Sequence, residues 1–179
     1  MSAWSCAVPR RLLTTVDVVE LTHLDAVGAA HMVDVSGKDV TVRTATAAAR
    51  FVTTPEVIAL LRRDGLPMGD ALAVARIAGL TGAKRTAELV PLCHPVALHG
   101  VTLDLELGAD SIAITATTRT ADRTGVEMEA LTAVTVAGLA LYDMVKAVDR
   151  GARLTEVRLL HKVGGRGGEW TRAEPEPTS

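Results

Sequence analysis

The chain has 179 residues, of which 48% are hydrophobic, 22% charged and 2% aromatic, and its formal charge is −2. This length and apolar fraction exclude an intrinsically disordered chain and indicate one domain with a buried core. The slight negative charge and the scarcity of aromatic rings disfavour a nucleic-acid interface, which needs basic surface and stacking platforms.

The two cysteines, Cys6 and Cys93, are too few for a disulfide framework, so reduced thiols and a cytoplasmic location are expected. The arginines at positions 10–11 are followed by acidic residues, not by the long apolar core of an export signal. The longest apolar run, 130–142, is too short to cross a bilayer. We therefore predict a soluble protein without a membrane partner.

Composition divides the chain into three parts. Residues 1–20 lack clear periodicity and are predicted to be an N-terminal extension. Residues 21–170 form one compact domain without internal repeats. Residues 171–179 are rich in Pro, Glu, Ser and Thr and are predicted to be a disordered tail.

The first half of the domain alternates between extended and helical patterns. Residues 40–53, rich in Val, Thr and Ala, are predicted to be extended. Thr54 is the expected N-cap of a helix that has Pro55 in its first turn and ends at Asp64. A second helix is expected over 69–79, and a short third one over 84–89.

Strands dominate the part that follows. Residues 101–107 and 111–120 alternate between apolar and polar side chains and are joined by a tight Gly-Ala-Asp turn, which predicts an antiparallel hairpin. A last strand is expected over 154–162. Interleaved helices with an antiparallel hairpin indicate an α+β fold, with helices packed on one face of the sheet.

The longest helix is predicted over 125–148, where apolar residues recur at three- and four-residue spacing. Thr124 and Glu127 have the spacing of a capping box at its start. Gly151 follows its end, where a C-terminal glycine is expected.

The segment Pro91–Pro95 is the first candidate for chemistry, because two prolines place its residues in a loop. His94 in this loop is either a general base or a hydrogen-bond donor to phosphate, or it is an ordinary surface histidine. Cys93 is interpreted as a small buried apolar residue in preference to a nucleophile. A zinc site is disfavoured because paired ligand spacings are missing, so no metal is predicted.

Acidic and basic residues on the long helix are further candidates. Asp143 and Lys146 are three positions apart on one face, where they form either a catalytic pair or an exposed ion pair. Glu127 has a structural explanation in the capping box, whereas Glu129 has none. Lys162 precedes a run of glycines over 164–168, which is either an anion-binding loop or a flexible lead into the tail.

Many blocks in the same order resemble the molybdenum cofactor biosynthesis protein C (MoaC) family, over about residues 21–170. The matching blocks are Leu21–His23, Met32–Ser36, Thr41–Arg43, Gly69–Asp70, Ala75–Gly79, Ala83–Thr86, Pro91–Pro95, Thr124–Ala133 and Tyr142–Val148.

The resemblance implies a ferredoxin-like subunit in a homohexamer, a trimer of dimers with active sites at subunit interfaces. It implies conversion of a cyclised dihydro-GTP, (8S)-3',8-cyclo-7,8-dihydroguanosine 5'-triphosphate, to cyclic pyranopterin monophosphate and diphosphate. This is a phosphorus–oxygen lyase reaction. It implies no resident cofactor, and leaves open whether Mg²⁺ accompanies the triphosphate.

The resemblance also assigns roles to residues. Asp143, Lys146, His94 and Lys162 are expected to be catalytic, with burial lowering the pKa of Lys146 so that it can transfer protons. The expected substrate-binding residues are Leu92, Cys93, His94, Met128, Glu129, Glu127, Arg43 and Lys84.

The chain departs from the family pattern at Met68, where a catalytic lysine usually stands. Val163 and Arg166 replace a usual serine and lysine. A thioether neither transfers protons nor pairs with phosphate. The alternative to an active synthase is therefore a degenerate paralogue that binds a pterin or nucleotide, or acts as an oligomeric partner.

Overall fold

A computed structural model describes residues 28–63 and 70–173. The chain divides into two units, Met1–Val33 and Asp34–Ser179. Of the first unit, residues 28–33 are described, and the predicted extension over 1–20 lies outside the described residues. All helices and strands below belong to the second unit.

The second unit contains five strands and four helices among its described residues. They are β1 (Thr41–Val52), α1 (Pro55–Arg62), α2 (Ala71–Lys84), α3 (Thr86–Leu89), β2 (Gly100–Leu107), β3 (Ser111–Asp122), α4 (Glu127–Val145), β4 (Arg153–Val163) and β5 (Trp170–Thr171). The sheet order is β2-β3-β1-β4-β5, and all neighbours are antiparallel. Strands β1 to β4 with intervening helices have the ferredoxin-like topology, which confirms the predicted α+β class.

Alternation along the central strands produces the core. Ala45, Ala47 and Phe51 on β1, and Ile112 and Ile114 on β3, are fully buried on one face of the sheet. Helix α4 packs on β1, β3 and β4, while α2 packs against α4 and β2. The helices therefore cover one face, as predicted.

Caps define the first two helices as the sequence indicates. Thr54 Oγ1 accepts a hydrogen bond from the Val57 amide at 3.4 Å, and Asp70 Oδ1 accepts one from the Ala73 amide at 2.9 Å. Helix α2 continues beyond the predicted end at Gly79 to Lys84. Gly79 lies against Ala133 and Ala137 of α4, so this glycine serves helix packing and does not end the helix.

Both predicted ends of α4 are wrong in detail. Val126 is the N-cap residue, and its hydrocarbon side chain makes no capping bond. The Glu127 carboxylate pairs with Lys162 and does not close the predicted capping box. The helix ends at Val145, and Lys146 is its C-cap. Gly151 instead donates its amide to Asp149 Oδ1 at 2.8 Å, within a turn.

The ordered chain extends past the predicted domain end at residue 170. Strand β5 pairs His161 with Thr171, and Arg172 donates its amide to Leu160 O at 2.8 Å and its Nε to Leu159 O at 2.7 Å. The outer edge of β4 offers free backbone groups that this segment satisfies. Residues 174–179 of the predicted tail lie outside the described residues.

Helix α4 is long and apolar enough to span a membrane by length and composition alone. Half of it is buried inside the subunit, where Ala133, Val134 and Leu141 contribute to the core. A helix buried to this extent is typical of the core helix in a two-layer fold.

Substituting Gly79 with alanine should destabilise the fold. The added Cβ would lie 2.2 Å from Leu103 Cδ1 and 2.8 Å from the Ala133 carbonyl oxygen. Overpacking of this kind costs about 1–3 kcal/mol, measurable by urea denaturation. Gly37→Ala is the matched control, since its Cβ would meet no atom within 4 Å. Equal midpoints for both variants would contradict the packing described.

Candidate active site

One end of the sheet gathers most of the predicted site residues. Lys162 lies opposite Ala45 on the helix-covered face, and its Nζ lies 3.1 Å from Glu127 Oε1 at the start of α4. Their side chains are 29% and 28% exposed, which makes this the least exposed ion pair that the described residues form. The pair joins β4 to the positive end of the α4 dipole, where a carboxylate is favoured.

Glu129 lies one residue beyond Met128 on α4 and is buried. Burial raises the pKa of Glu129 to about 7, and the Glu127 carboxylate adds to this rise. Burial also raises the pKa of the Cys93 thiol, with the Glu129 carboxylate contributing. Glu127, Glu129 and Cys93 therefore lie close enough for their charges to affect one another.

Arg43 occupies the same end of the sheet beneath a glycine-rich loop. Its Nε donates to Asp122 O at 2.9 Å and its Nη2 donates to Arg123 O at 3.1 Å. A Cβ on Gly165 would lie 2.1 Å from Arg43 Nη1, so only glycine permits this approach. These contacts hold the guanidinium in one orientation.

A cavity of about 320 Å³ opens beside Arg43. Its lining includes three cationic residues, Lys38, Arg43 and Arg166, and a single acidic one, Asp39. Two backbone segments supply glycine to its wall, at Gly37 and Gly165. Cations combined with exposed glycine backbone are the chemistry that binds phosphate groups.

The 91–95 segment follows α3 as a turn, fixed by a 3.0 Å bond from the Cys93 amide to Val90 O. Leu92, Cys93 and His94 are half-buried. The Ser36 amide, which donates to Asp34 Oδ1 at 2.8 Å, lowers the pKa of Asp34, and the nearby His94 and Lys38 lower it further.

Two predicted binding residues, Met128 and Lys84, lie at the margin of the cluster formed by Glu127, Glu129 and Cys93 or outside it. Met128 is partly exposed between the two glutamates. Lys84, the last residue of α2, lines a separate cavity of about 290 Å³ with Leu98 and His99. The structure thus places Lys84 near the start of β2, outside the cavity that holds Arg43.

Asp143 and Lys146 lie at the other end of α4. Lys146 Nζ donates to Asp143 Oδ1 at 2.6 Å, and both side chains are more than half exposed. Asp143 is fourteen residues beyond Glu129, which at 1.5 Å per residue separates them by about 21 Å. The two groups therefore lie at opposite ends of the helix and make no contact with each other.

The expectation that burial lowers the pKa of Lys146 is wrong for this subunit. The hydrogen bond that Lys146 donates to Asp143, and the negative charge of that carboxylate, raise the pKa of Lys146. The exposed ammonium gains a partner without losing its water, so its charged form is favoured.

Sequence reasoning missed Lys38 and Asp34 as members of the site. Their signal was the turn Asp34-Val35-Ser36-Gly37-Lys38, in which Lys38 donates its amide to Val35 O at 3.0 Å. Met68, the position of the departure from the family, lies outside the described residues. Among residues 28–63 and 70–173, no three His, Cys, Asp or Glu side chains cluster as metal ligands would.

Comparison with known proteins agrees with the predicted family. A family model described as the MoaC family matches residues 32–165. Proteins named cyclic pyranopterin monophosphate synthase from Streptomyces coelicolor and Nocardioides sp. are 63% and 59% identical over 153 and 155 residues. These alignments cover 86% and 85% of this chain, and 90% and 95% of the relatives.

A third relative, cyclic pyranopterin monophosphate synthase 2 from Mycobacterium tuberculosis, is 60% identical over 153 residues. That alignment covers 86% of this chain and 92% of the relative. The chain belongs to the MoaC family.

The buried Glu129 carboxyl predicts a pH-dependent stability. Its folded pKa of about 7 lies above the ordinary 4.5, so its contribution to stability is complete below pH 4.5 and is lost as pH rises through 7. Relative to Glu129→Gln, the wild-type free energy of unfolding should fall by about 3 kcal/mol between these pH values. Denaturation at several pH values measures this difference.

The control for this experiment is Glu106→Gln, because Glu106 is exposed on β2. This variant reports the effect of removing one exposed carboxyl from the surface of the sheet. A constant difference for Glu129→Gln would show that this carboxyl titrates normally.

Proposed function

We propose that the chain is a cyclic pyranopterin monophosphate synthase of molybdenum cofactor biosynthesis. It converts cyclised dihydro-GTP to cyclic pyranopterin monophosphate and diphosphate as a phosphorus–oxygen lyase. The observation that carries this proposal is the convergence of Glu127, Glu129, Cys93 and Lys162, with Arg43 beside them, at one end of the sheet. Relatives at about 60% identity that carry the synthase name support it.

The cationic cavity fits the phosphate end of the substrate. Lys38, Arg43 and Arg166 line it, and Lys162 lies next to the same glycine loop, since a Cβ on Gly167 would be 3.3 Å from Lys162 Nζ. Cyclisation requires a substrate hydroxyl to attack the innermost phosphorus while diphosphate leaves. Fixed cations stabilise the charge that develops on the leaving group. In this proposal Mg²⁺ enters with the triphosphate and has no resident site.

The carboxyl group at the start of α4 fits the purine-derived end. Carboxylates accept hydrogen bonds from the N–H groups of a guanine-like edge, a role that suits Glu127 or Glu129. With its pKa near 7, Glu129 also exchanges a proton at neutral pH. His94 stands in the adjacent turn and supplies a second proton-transferring group.

The position of Asp143 and Lys146 supports an active site shared between subunits. About 21 Å of rigid helix separates Asp143 from Glu129, so a second copy of the chain must bring its own Asp143 and Lys146 to complete the site. A symmetric dimer creates two such composite sites, and a homohexamer arranged as a trimer of dimers creates six. Cover by the second copy would desolvate Lys146 and lower its pKa toward the range needed for proton transfer.

The remaining parts of the proposal follow from composition. The synthase domain spans residues 21–170, with β5 extending it to Thr171. The free Cys93 thiol and a nucleotide-derived substrate suit the cytoplasm.

Turnover of enzymatically prepared cyclised dihydro-GTP tests the proposal, with product followed as the oxidised fluorescent pterin. The purified chain should be active, and Lys146→Ala and Asp143→Asn should each lose at least about a hundredfold in kcat, because both remove proton transfer. Asp110→Asn alters an exposed side chain that pairs with Arg50, and this variant should retain full activity. Light scattering should report the same hexameric mass for all of them.

A Met68→Lys variant in the same assay separates the two readings of this chain. Substantial turnover by the native protein supports the synthase. Activity in the lysine variant alone would identify a degenerate paralogue with an intact scaffold. Near-native turnover in both Lys146→Ala and Asp143→Asn would contradict the assigned roles.

A further inference from the structure

The loop that joins β4 to β5 covers Arg43 and contains unusual backbone. Gly164, Gly165 and Gly168 have positive φ angles of 105°, 71° and 59°. Two internal bonds shape the loop, from the Gly164 amide to Gly168 O at 3.1 Å and from the Gly168 amide to Gly165 O at 3.2 Å. Glycine loses more conformational freedom on ordering than any other residue, so additional contacts are needed to hold such a loop in one conformation.

Two side-chain contacts join the ends of this loop: Arg172 Nε donates to Leu159 O at 2.7 Å, and a histidine–carboxylate contact lies nearer the glycines. His161 Nε2 lies 2.9 Å from Glu169 Oε1. His161 precedes the glycines and Glu169 follows them, so the contact joins the two ends of the segment. Strand β5 is only two residues long, and backbone pairing there is correspondingly short.

His161 does not reach the cavity itself. It pairs with Thr46 of β1 and with Thr171 of β5, neither of which is charged. Its neighbour Lys162 points to the opposite face of β4, toward Glu127, because successive side chains on a strand alternate. Any effect of His161 on a bound phosphate must therefore act through the loop.

We propose that His161 and Glu169 are a positioning pair that holds the glycine loop in place over Arg43. The held loop keeps the Gly165 backbone against the Arg43 guanidinium and keeps Arg166 in the cavity wall. The ligand that benefits is a polyphosphate. Its identification as the triphosphate of the substrate rests on the proposed function.

Binding of inorganic tripolyphosphate to the full chain, measured by calorimetry, tests the pair without turnover. His161→Ala and Glu169→Ala should each weaken binding about fivefold to tenfold, because the loop loses its fastening. The double variant should bind no more weakly than either single variant, since the two residues act as one unit. Glu169 is an exposed loop residue, so its variant should fold even if His161→Ala does not.

Two further variants separate positioning from general damage. His161→Gln should restore affinity to within about twofold of wild type, because its amide N–H can still donate to the Glu169 carboxylate. Asp110→Asn removes an exposed ion pair elsewhere and should bind as wild type does. In the turnover assay, His161→Ala should raise KM while kcat stays within about twofold, since the pair touches no reacting atom.

Wild-type affinity in His161→Ala, or additive losses in the double variant, would overturn the positioning pair. A chain that binds tripolyphosphate with the predicted coupling but does not turn over the cyclised dihydro-GTP would refute the proposed function and support the pair. The two proposals therefore fail separately.

Discussion

The rigid length of α4 determines where chemistry can occur in this subunit. The helix packs on three strands and on α2, so it cannot bend to bring its ends together. Glu127 and Glu129 lie in its first turn, and Asp143 lies in its last. The fold therefore holds these two sets of side chains apart, and the proposed composite site would bring them together by using a second subunit.

The site-forming end of the sheet depends on charges that balance one another at close range. Lys162 neutralises Glu127, which leaves the buried Glu129 as the carboxyl whose charged form is penalised. A few residues away, the cavity beside Arg43 has an excess of positive charge. The proposed substrate matches this division. The N–H donors of its purine-derived edge suit the carboxylates, and its phosphates suit the cations.

Local sequence signals predicted the elements because they act over a few residues. Thr54 caps its helix as expected, and the alternation over 101–107 and 111–120 produced the hairpin. At Gly79 the sequence predicted a helix end, but the helix continues, and close contact with α4 explains the glycine inside it. A tertiary ion pair likewise drew Glu127 away from the capping box that its spacing suggested.

The site was predictable in its residue types and not in its geometry. The resemblance named Arg43, Glu129 and Lys162 as pocket residues. It gave no distance between them and Asp143, because that distance follows from the length and direction of α4. No motif marked Lys38, which reaches the site through a cavity that joins segments distant in sequence. No motif marked His161 and Glu169 either, because they meet only when the loop between them folds back.

Mixing two inactive variants tests the composite site most directly. Lys146→Ala disables the far end of α4 and Lys162→Ala disables the near end, so each should be inactive alone. When the two are dissociated and reassembled at equal amounts, random pairing should leave about a quarter of the sites with both wild-type ends, and turnover should return to that level. A reassembled mixture that stays inactive would place both lysines in one subunit's site and contradict the account.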